Sequence, residues 1–256
     1  MIGHVTALLA GHIASGGLLI TALLALSNEL PKSFLRFCAT SAGASAALAA
    51  LLDVGMSRFV WLGLAIVAGL WYAALRRGGG ASGAFLVLPA TAAVVASVLF
   101  VVTTNTSGTD LLVLSVAGSL SSSLILGAVL VSMILGHWYL VDTSLSIAPL
   151  RDGARWLVVA VLLRWAVVAA VLLYGGFEVL RVGRAADFIF STRGLFFMFR
   201  TLMGLIAPLL LTGLIWQTVK IRSTQSATGL LYVASFLVLF GESFSQFLLV
   251  ATGYPL

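Results

Sequence analysis

An uncharged and largely apolar stretch of 31 residues, Leu111–Val141, constrains the fold of this chain. A soluble domain does not need such a stretch, whereas a helix of about 20 apolar residues crosses a hydrocarbon layer about 30 Å thick. The stretch contains several serines and the glycines Gly118, Gly127 and Gly136, which are typical of helix surfaces that pack closely in membranes. We therefore predict a transmembrane helix in the middle of a helical bundle.

The composition of the whole chain agrees with a membrane location. Charged residues make up 9% and apolar residues 61% of the 256 positions, whereas soluble domains average about 25% and 45–50%. We predict an all-α polytopic membrane protein in which residues 1–256 form a single transmembrane helical domain, without a soluble domain and without a nucleic-acid partner. The chain is apolar from its start, with no basic region before the apolar run, so we expect a first span and not a cleaved signal peptide. The single cysteine, Cys38, offers neither an internal disulfide nor a cysteine-rich metal site.

Hydrophobic segments separated by polar or basic turns predict about eight spans. Their approximate bounds are Ile2–Leu26, Phe34–Leu52, Phe59–Leu75, Ala84–Thr103, Leu111–Val141, Leu157–Tyr174, Gly194–Val219 and Ala227–Val250. The segment Phe177–Arg193 mixes arginines with aromatic residues, which predicts a short surface helix or a docking loop.

The basic residues predict the orientation of these spans. Eight Lys and Arg residues fall in the loops after spans one, three, five and seven, and four fall in the alternate loops. Because cytoplasmic loops carry the excess of positive charge, we expect a multi-pass protein of the plasma or inner membrane with both termini on the extracytoplasmic side.

Ionisable residues inside the spans are the candidates for function. Arg164, Arg200 and Glu242 fall within spans six, seven and eight. Each costs about 2.5–3.5 kcal/mol to insert at the centre of a membrane helix, so each requires a partner or a cavity. The predicted depths group His12 with Arg200 and Glu242 in an outer pocket. The same depths group His137 with Arg164 in an inner pocket or proton route.

Two interpretations of the outer group remain open at the level of the sequence. A carboxylate beside a guanidinium, together with a histidine that exchanges protons near neutral pH, matches the needs of a quinone head group. The alternative is a structural ion pair that joins the last two helices, as expected for a subunit with a structural or assembly role.

Haem binding and solute transport are weaker alternatives. His12 and His137 both follow a glycine, as ligands of a haem b between two helices often do, but their predicted depths differ too much for one iron. Pro89 and Pro208 interrupt two spans, which suits a small-solute transporter, yet the two halves of the chain show no internal repeat. We also find no nucleotide-binding, metalloprotease or nucleophile motif.

The last span carries a family resemblance. It reads LVLFGESFSQFLLVATGYPL, and its Gly241-Glu242 pair in a chain of eight spans resembles the NrfD/PsrC/DmsC group of membrane anchors. In that group a basic residue and aromatic residues often follow the Gly-Glu pair, whereas Gln246 and Phe247 follow it here. Arg200 on the adjacent helix would supply the missing positive charge.

The resemblance implies a subunit that is not an enzyme by itself. Members of the group bind menaquinone or ubiquinone and pass electrons to or from an iron–sulfur or cytochrome subunit, which serves a separate catalytic subunit. They usually hold no haem. The resemblance therefore implies a subunit of a respiratory complex with a quinone site, and the predicted depths make His12, Arg200 and Glu242 the first candidates for that site.

Overall fold

The described part of the computed structural model comprises residues 2–77, 83–104, 112–142, 144–175 and 191–256, and it consists of helices and short turns, without a strand. It contains eight helices that are long and apolar enough to cross a membrane. They are α1 (Ile2–Ala25), α2 (Lys32–Leu52), α3 (Ser57–Arg76), α4 (Gly83–Thr104), α5 (Leu112–Val141), α6 (Ala148–Gly175), α7 (Thr192–Lys220) and α8 (Thr224–Thr252). The predicted all-α membrane bundle is confirmed.

The first and fifth helices form the centre of the bundle. Of the eight helices, α1 and α5 bury the largest shares of their residues. Helix α1 packs against α2, α4 and α5, and α5 also packs against α6 and α8. The predicted central position of the uncharged stretch is therefore confirmed.

Two glycines set the distance between the central helices. A Cβ atom on Gly16 would overlap the main-chain oxygen of Ser123, and one on Gly127 would overlap the main chain of Gly16. Helices approach this closely in membranes only where small residues line the contact, and the close packing supplies the attraction. The crossing of α1 and α5 therefore depends on these two positions.

The sixth helix begins earlier than the sequence predicts. Asp142–Trp156 was expected as a connection, but α6 starts at Ala148, where the Ser146 hydroxyl accepts a hydrogen bond from the Ala148 amide at 3.3 Å. Pro149 fits this first turn, because a proline there removes no helical hydrogen bond. Arg164 consequently lies sixteen residues into the helix, or about 24 Å from its start.

The seventh helix is interrupted before its proline. A π-helical turn spans Leu202–Ile206, between α-helical parts at Thr192–Thr201 and Ala207–Lys220. Pro208 has no amide hydrogen to donate to the preceding turn, so the α-helical ladder cannot continue through it. Most of the predicted surface segment Phe177–Arg193 lies outside the described residues.

The α1–α5 crossing yields a stability prediction. We expect Gly127→Ala to lower the free energy of unfolding by about 1–3 kcal/mol, because the added methyl group must push the two main chains apart. Gly69→Ala in α3 is the matched control, since an added Cβ there meets no atom within 4 Å. Unfolding by a denaturing detergent in mixed micelles measures both, and equal stabilities would show that the crossing tolerates a side chain.

Candidate functional site

Three buried charged side chains from three helices meet at one point. The Arg164 Nε and Nη2 atoms donate to Glu242 Oε1 and Oε2, each at 3.1 Å, which makes a two-point ion pair between α6 and α8. From α7, the Arg200 Nη2 atom lies 3.1 Å from Glu242 Oε1. The hydroxyl of Ser122 on α5 donates to Glu242 Oε2 at 2.8 Å. We call Arg164, Arg200 and Glu242 the arginine–glutamate cluster.

Within the cluster, Arg164 uses all five of its N–H groups. Besides Glu242, it donates to the Ser121 hydroxyl at 3.2 Å, the Gly118 main-chain oxygen at 3.4 Å and the Ser245 hydroxyl at 2.6 Å. Its Nη2 atom shares a hydrogen with a third acceptor, the main-chain oxygen of Leu256, at 3.3 Å. A guanidinium has five donors in a fixed plane, and partners surround this one on α5 and α8. Arg164 is therefore held rigidly, and a charge that would otherwise be costly in hydrocarbon is compensated.

The N–H donors of Arg200 have fewer hydrogen-bond partners than those of Arg164. Arg200 is fully buried, and its Nε atom donates to the main-chain oxygen of Leu256 at 3.4 Å. Its Nη2 atom is at ion-pair distance from Glu242, but neither Nη1 nor Nη2 makes a hydrogen bond within the described part of the chain. Buried polar atoms almost always have partners. Arg200 therefore retains donor capacity that its protein surroundings do not use.

Small residues bring the backbones of α7 and α8 together beside this cluster. A Cβ atom on Gly204 would overlap the Arg200 side chain, and one on Gly241 would overlap the Gly204 main chain. Gly204 belongs to the π-helical turn Leu202–Ile206, one turn after Arg200. Turns of this kind are frequent at functional sites, because they redirect side chains inside an otherwise regular helix. The Gly-Glu pair of the last span therefore places Glu242 within reach of α7.

A cavity of about 260 Å³ adjoins the cluster. Helices α1, α4, α5, α6 and α8 and the residues after α8 form its walls. The polar lining residues are His4, His12, Thr104, Ser115, Ser119, Ser122, Arg164, Ser245 and Gln246, and the apolar ones include Leu8, Phe100, Val101, Leu249, Val250 and Pro255. Arg164 and Ser122 thus link the cavity to the cluster, whereas Glu242 and Arg200 are not among the lining residues.

The cavity is open at one end and closed at the other. His4 near the start of α1, Thr104 at the end of α4 and Gly253 after α8 lie at the same end of the bundle, which we call the N-terminal face. His12 and Arg164 at the other end of the cavity are each only 1% exposed. Ten residues separate His12 from the start of α1, which corresponds to a depth of about 15 Å.

The His12 ring is held by one serine hydroxyl and by two aromatic side chains. Its Nδ1 atom lies 3.0 Å from the Ser123 hydroxyl, and that hydroxyl lies 3.4 Å from the hydroxyl of Ser97. The rings of Phe100 and Trp61 meet the imidazole in edge-on contacts, at 5.8 and 6.5 Å between centroids. Because Nδ1 is occupied by Ser123, Nε2 is the ring atom left for a ligand.

The structure brings together only part of the predicted outer pocket. Arg200 and Glu242 are in contact. His12 lines the adjoining cavity, and in the part of the chain that the structure describes no hydrogen bond joins it to either of them. Arg164 occupies the position between the cavity and Glu242 instead. The predicted group therefore separates into a cavity residue and two residues behind the cavity wall.

The predicted inner pair of His137 and Arg164 is not formed. His137 is exposed on the outer surface of the bundle, where its Nδ1 atom lies 2.9 Å from the hydroxyl of Tyr232. Arg164 lies deeper because α6 begins nine residues before the predicted start at Leu157. At 1.5 Å per residue, that extension moves Arg164 by about 13 Å away from the end at which His137 lies.

The alternative pair of haem ligands is also separated. His12 contacts Ser123 on α5, and His137 follows Ser123 by fourteen residues, or about 21 Å along the helix. One iron atom cannot bind both rings at that separation. Among the described residues, no group of three His, Cys, Asp or Glu side chains is placed to hold a metal ion.

Sequence reasoning missed the hydroxyl groups that surround the cluster. The serines at 121–123 are predicted to serve helix packing, and the prediction does not assign Ser245 and Gln246 to the site. Ser245 follows Glu242 by three residues, a spacing that puts two helical side chains on the same face. That spacing was the signal available in the sequence.

Comparisons with protein-family models and with curated proteins gave no match. The resemblance of the last span to the NrfD/PsrC/DmsC group stays a prediction from the sequence.

We predict unequal losses in the free energy of unfolding for two substitutions that each remove a positive charge. We expect Arg164→Gln to lower the free energy of unfolding by about 3–5 kcal/mol, because Glu242 loses its two-point partner inside the bundle. Arg155→Gln removes the exposed pair with Asp152, whose side chains are 60% and 34% exposed, and its effect should stay below about 1 kcal/mol. Unfolding in mixed micelles compares the two variants. Equal losses would contradict a role of the cluster in holding the helices together.

Proposed function

We propose that the protein is the membrane subunit of a multi-subunit respiratory oxidoreductase, which anchors the complex and exchanges electrons with the quinone pool. The observation that carries this proposal is the cavity between His12 and Arg164, inside a bundle with eight candidate membrane spans. The ligand is menaquinone or ubiquinone. The proposed location is the plasma or inner membrane, with both termini on the extracytoplasmic side.

The size and lining of the cavity suit the head group of a quinone. A dry cavity of about 150 Å³ binds benzene, so a cavity of about 260 Å³ has room for a substituted ring. Leu8, Phe100, Val101 and Leu249 supply the apolar surface that a flat ring requires. Ligand sites typically combine such walls with a few polar groups that fix the orientation.

His12 is the residue that we place against a quinone carbonyl. Its ring is fixed by Ser123 and by two aromatic side chains, so a donor on Nε2 would be preorganised. An imidazole can also donate or accept a proton, and the reduction of a quinone or the oxidation of a quinol requires proton transfer. Buried Gln246 provides a second polar group on the cavity wall.

The arginine–glutamate cluster contributes an electrostatic role. Its side chains include two guanidinium groups and one carboxylate, so the positive charges outnumber the negative ones. A fixed positive field beside a low-dielectric cavity stabilises negative charge that develops on a ligand during electron transfer. We therefore assign Arg164, Arg200 and Glu242 to positioning and charge stabilisation, behind the wall that a quinone would touch.

In this proposal the other end of the electron path lies outside the chain. The partner is an iron–sulfur or cytochrome electron-transfer subunit that connects to a catalytic subunit, and no haem is bound by the chain itself. Membrane lipid surrounds the bundle.

A small-solute transporter is the second candidate, and one observation favours it. The cavity opens at the N-terminal face between His4, Thr104 and Gly253, so a polar solute could reach its floor from water. Proteoliposomes that contain the chain alone distinguish the two functions, because a transporter moves solute without any partner and an anchor subunit does not.

Two histidine variants test the quinone proposal in the assembled complex. We expect His12→Gln to lower kcat/KM for decylubiquinone or 2,3-dimethyl-1,4-naphthoquinone by about 3–10-fold, which corresponds to the loss of one hydrogen bond. His137→Gln should leave turnover within about twofold, since its ring contacts Tyr232 on the outer surface of the bundle.

Purification in a mild detergent, followed by identification of the co-purifying chains and a turnover assay, supplies both readouts. The proposal fails if the two variants turn over equally in an assembled complex. It also fails if the chain purifies without any redox partner and without bound quinone.

A further inference from the structure

The four residues after α8 fold back into the bundle. Gly253 ends α8 in the left-handed conformation with φ of 80°, and its amide donates to the Leu249 main-chain oxygen at 2.8 Å. Glycine adopts this conformation without a steric penalty, so the chain reverses there. Pro255 and Leu256 are both buried. We call Gly253–Leu256 the tail.

The tail supplies an oxygen atom to both arginines of the cluster. The Leu256 main-chain oxygen accepts from Arg164 Nη2 at 3.3 Å and from Arg200 Nε at 3.4 Å. It also accepts a short hydrogen bond from the hydroxyl of Ser245. Three donors from α6, α7 and α8 therefore converge on one acceptor that does not belong to Glu242. Such convergence is typical of a site built for an oxygen atom.

The tail also separates the cavity from Arg200. Gly253 and Pro255 line the cavity, and Pro255 packs so closely against Gly118 that a Cβ atom on the glycine would overlap it. Arg200 contacts the tail but does not line the cavity, and its Nη1 and Nη2 atoms make no hydrogen bond among the described residues. Movement of the tail would therefore enlarge the cavity toward unused donors.

We propose that the position of the Leu256 oxygen is a subsite for an acceptor oxygen of the ligand, and that the tail leaves it when the ligand enters. On the proposed function, on which this inference rests, that oxygen is one carbonyl of the quinone ring. Both are sp² acceptor oxygens, so the exchange preserves the hydrogen bonds of Arg164, Arg200 and Ser245.

Burial of the Leu256 side chain opposes the exchange and keeps the tail in place when no ligand is bound. The Leu256 side chain is fully buried against Val167, Val171 and Leu248, and this apolar contact is lost when the tail moves. A ligand ring that fills the enlarged cavity replaces the lost burial. The tail and the ring therefore compete for the same three donors.

Thiol labelling of the tail tests the inference. In a Cys38→Ala, Tyr254→Cys chain within the assembled complex, the only thiol of this chain is on the tail, and the buried Leu256 side chain is kept. We expect slow reaction with a maleimide in the absence of quinone, and at least fivefold faster reaction with saturating decylubiquinone. This quinone is fully substituted and does not add thiols itself. Equilibrium binding of decylubiquinone to the same preparation is measured in parallel.

A glycine variant and its control test the competition directly. In Gly118→Ala the added methyl group overlaps Pro255 and displaces the tail. The tail thiol should then react rapidly without quinone, and decylubiquinone should bind several-fold more tightly. Gly69→Ala, which adds a methyl group where no atom lies within 4 Å, should change neither. Pro255→Gly provides a second way to loosen the tail if Gly118→Ala does not fold.

The outcomes separate the subsite from the function. Quinone binding with faster labelling supports the inference. Quinone binding with unchanged labelling overturns the subsite and leaves the proposed function standing. Rapid labelling before quinone is added also overturns the subsite, because the tail is then not closed. Absence of quinone binding overturns the proposed function together with the inference.

Discussion

The ion pairs of Glu242 with two arginines hold the last three helices of the bundle together. In a hydrocarbon environment, three charged side chains are tolerated only if they compensate one another. Arg164 from α6 and Arg200 from α7 reach the carboxylate on α8, so the charges fix the relative positions of three helices. The Gly204–Gly241 contact permits this approach, and the serines of α5 complete the hydrogen bonds.

The cavity lies between this charged group and the tightly packed centre of the bundle. On one side α1 and α5 meet through Gly16 and Gly127, and they present His12 in a fixed orientation. On the other side Arg164 forms part of the floor. A cavity with both apolar and polar walls, a histidine on one side and a positive field on another is the arrangement that supports the quinone proposal. The tail determines how much of that field a ligand reaches.

The sequence was sufficient for the fold, because uncharged length and turn residues mark membrane spans strongly. It was not sufficient for the site, because the depth of Arg164 depends on where α6 begins. With α6 predicted to start at Leu157, Arg164 was expected at the depth of His137. Because α6 starts at Ala148, Arg164 lies deeper in the bundle, where it pairs with Glu242. The contacts of the tail could not be predicted either, because four residues after a helix give no pattern that identifies distant partners such as Arg200.

Photolabelling with an azido-substituted quinone reports which residues touch the ligand in the assembled complex. We predict that the labelled peptides contain His12 of α1 and Gln246 of α8, both of which line the cavity. Label confined to the outward-facing surfaces of α2 and α3, or label at α1 and α8 that an excess of unlabelled quinone does not displace, would contradict a quinone site in this cavity.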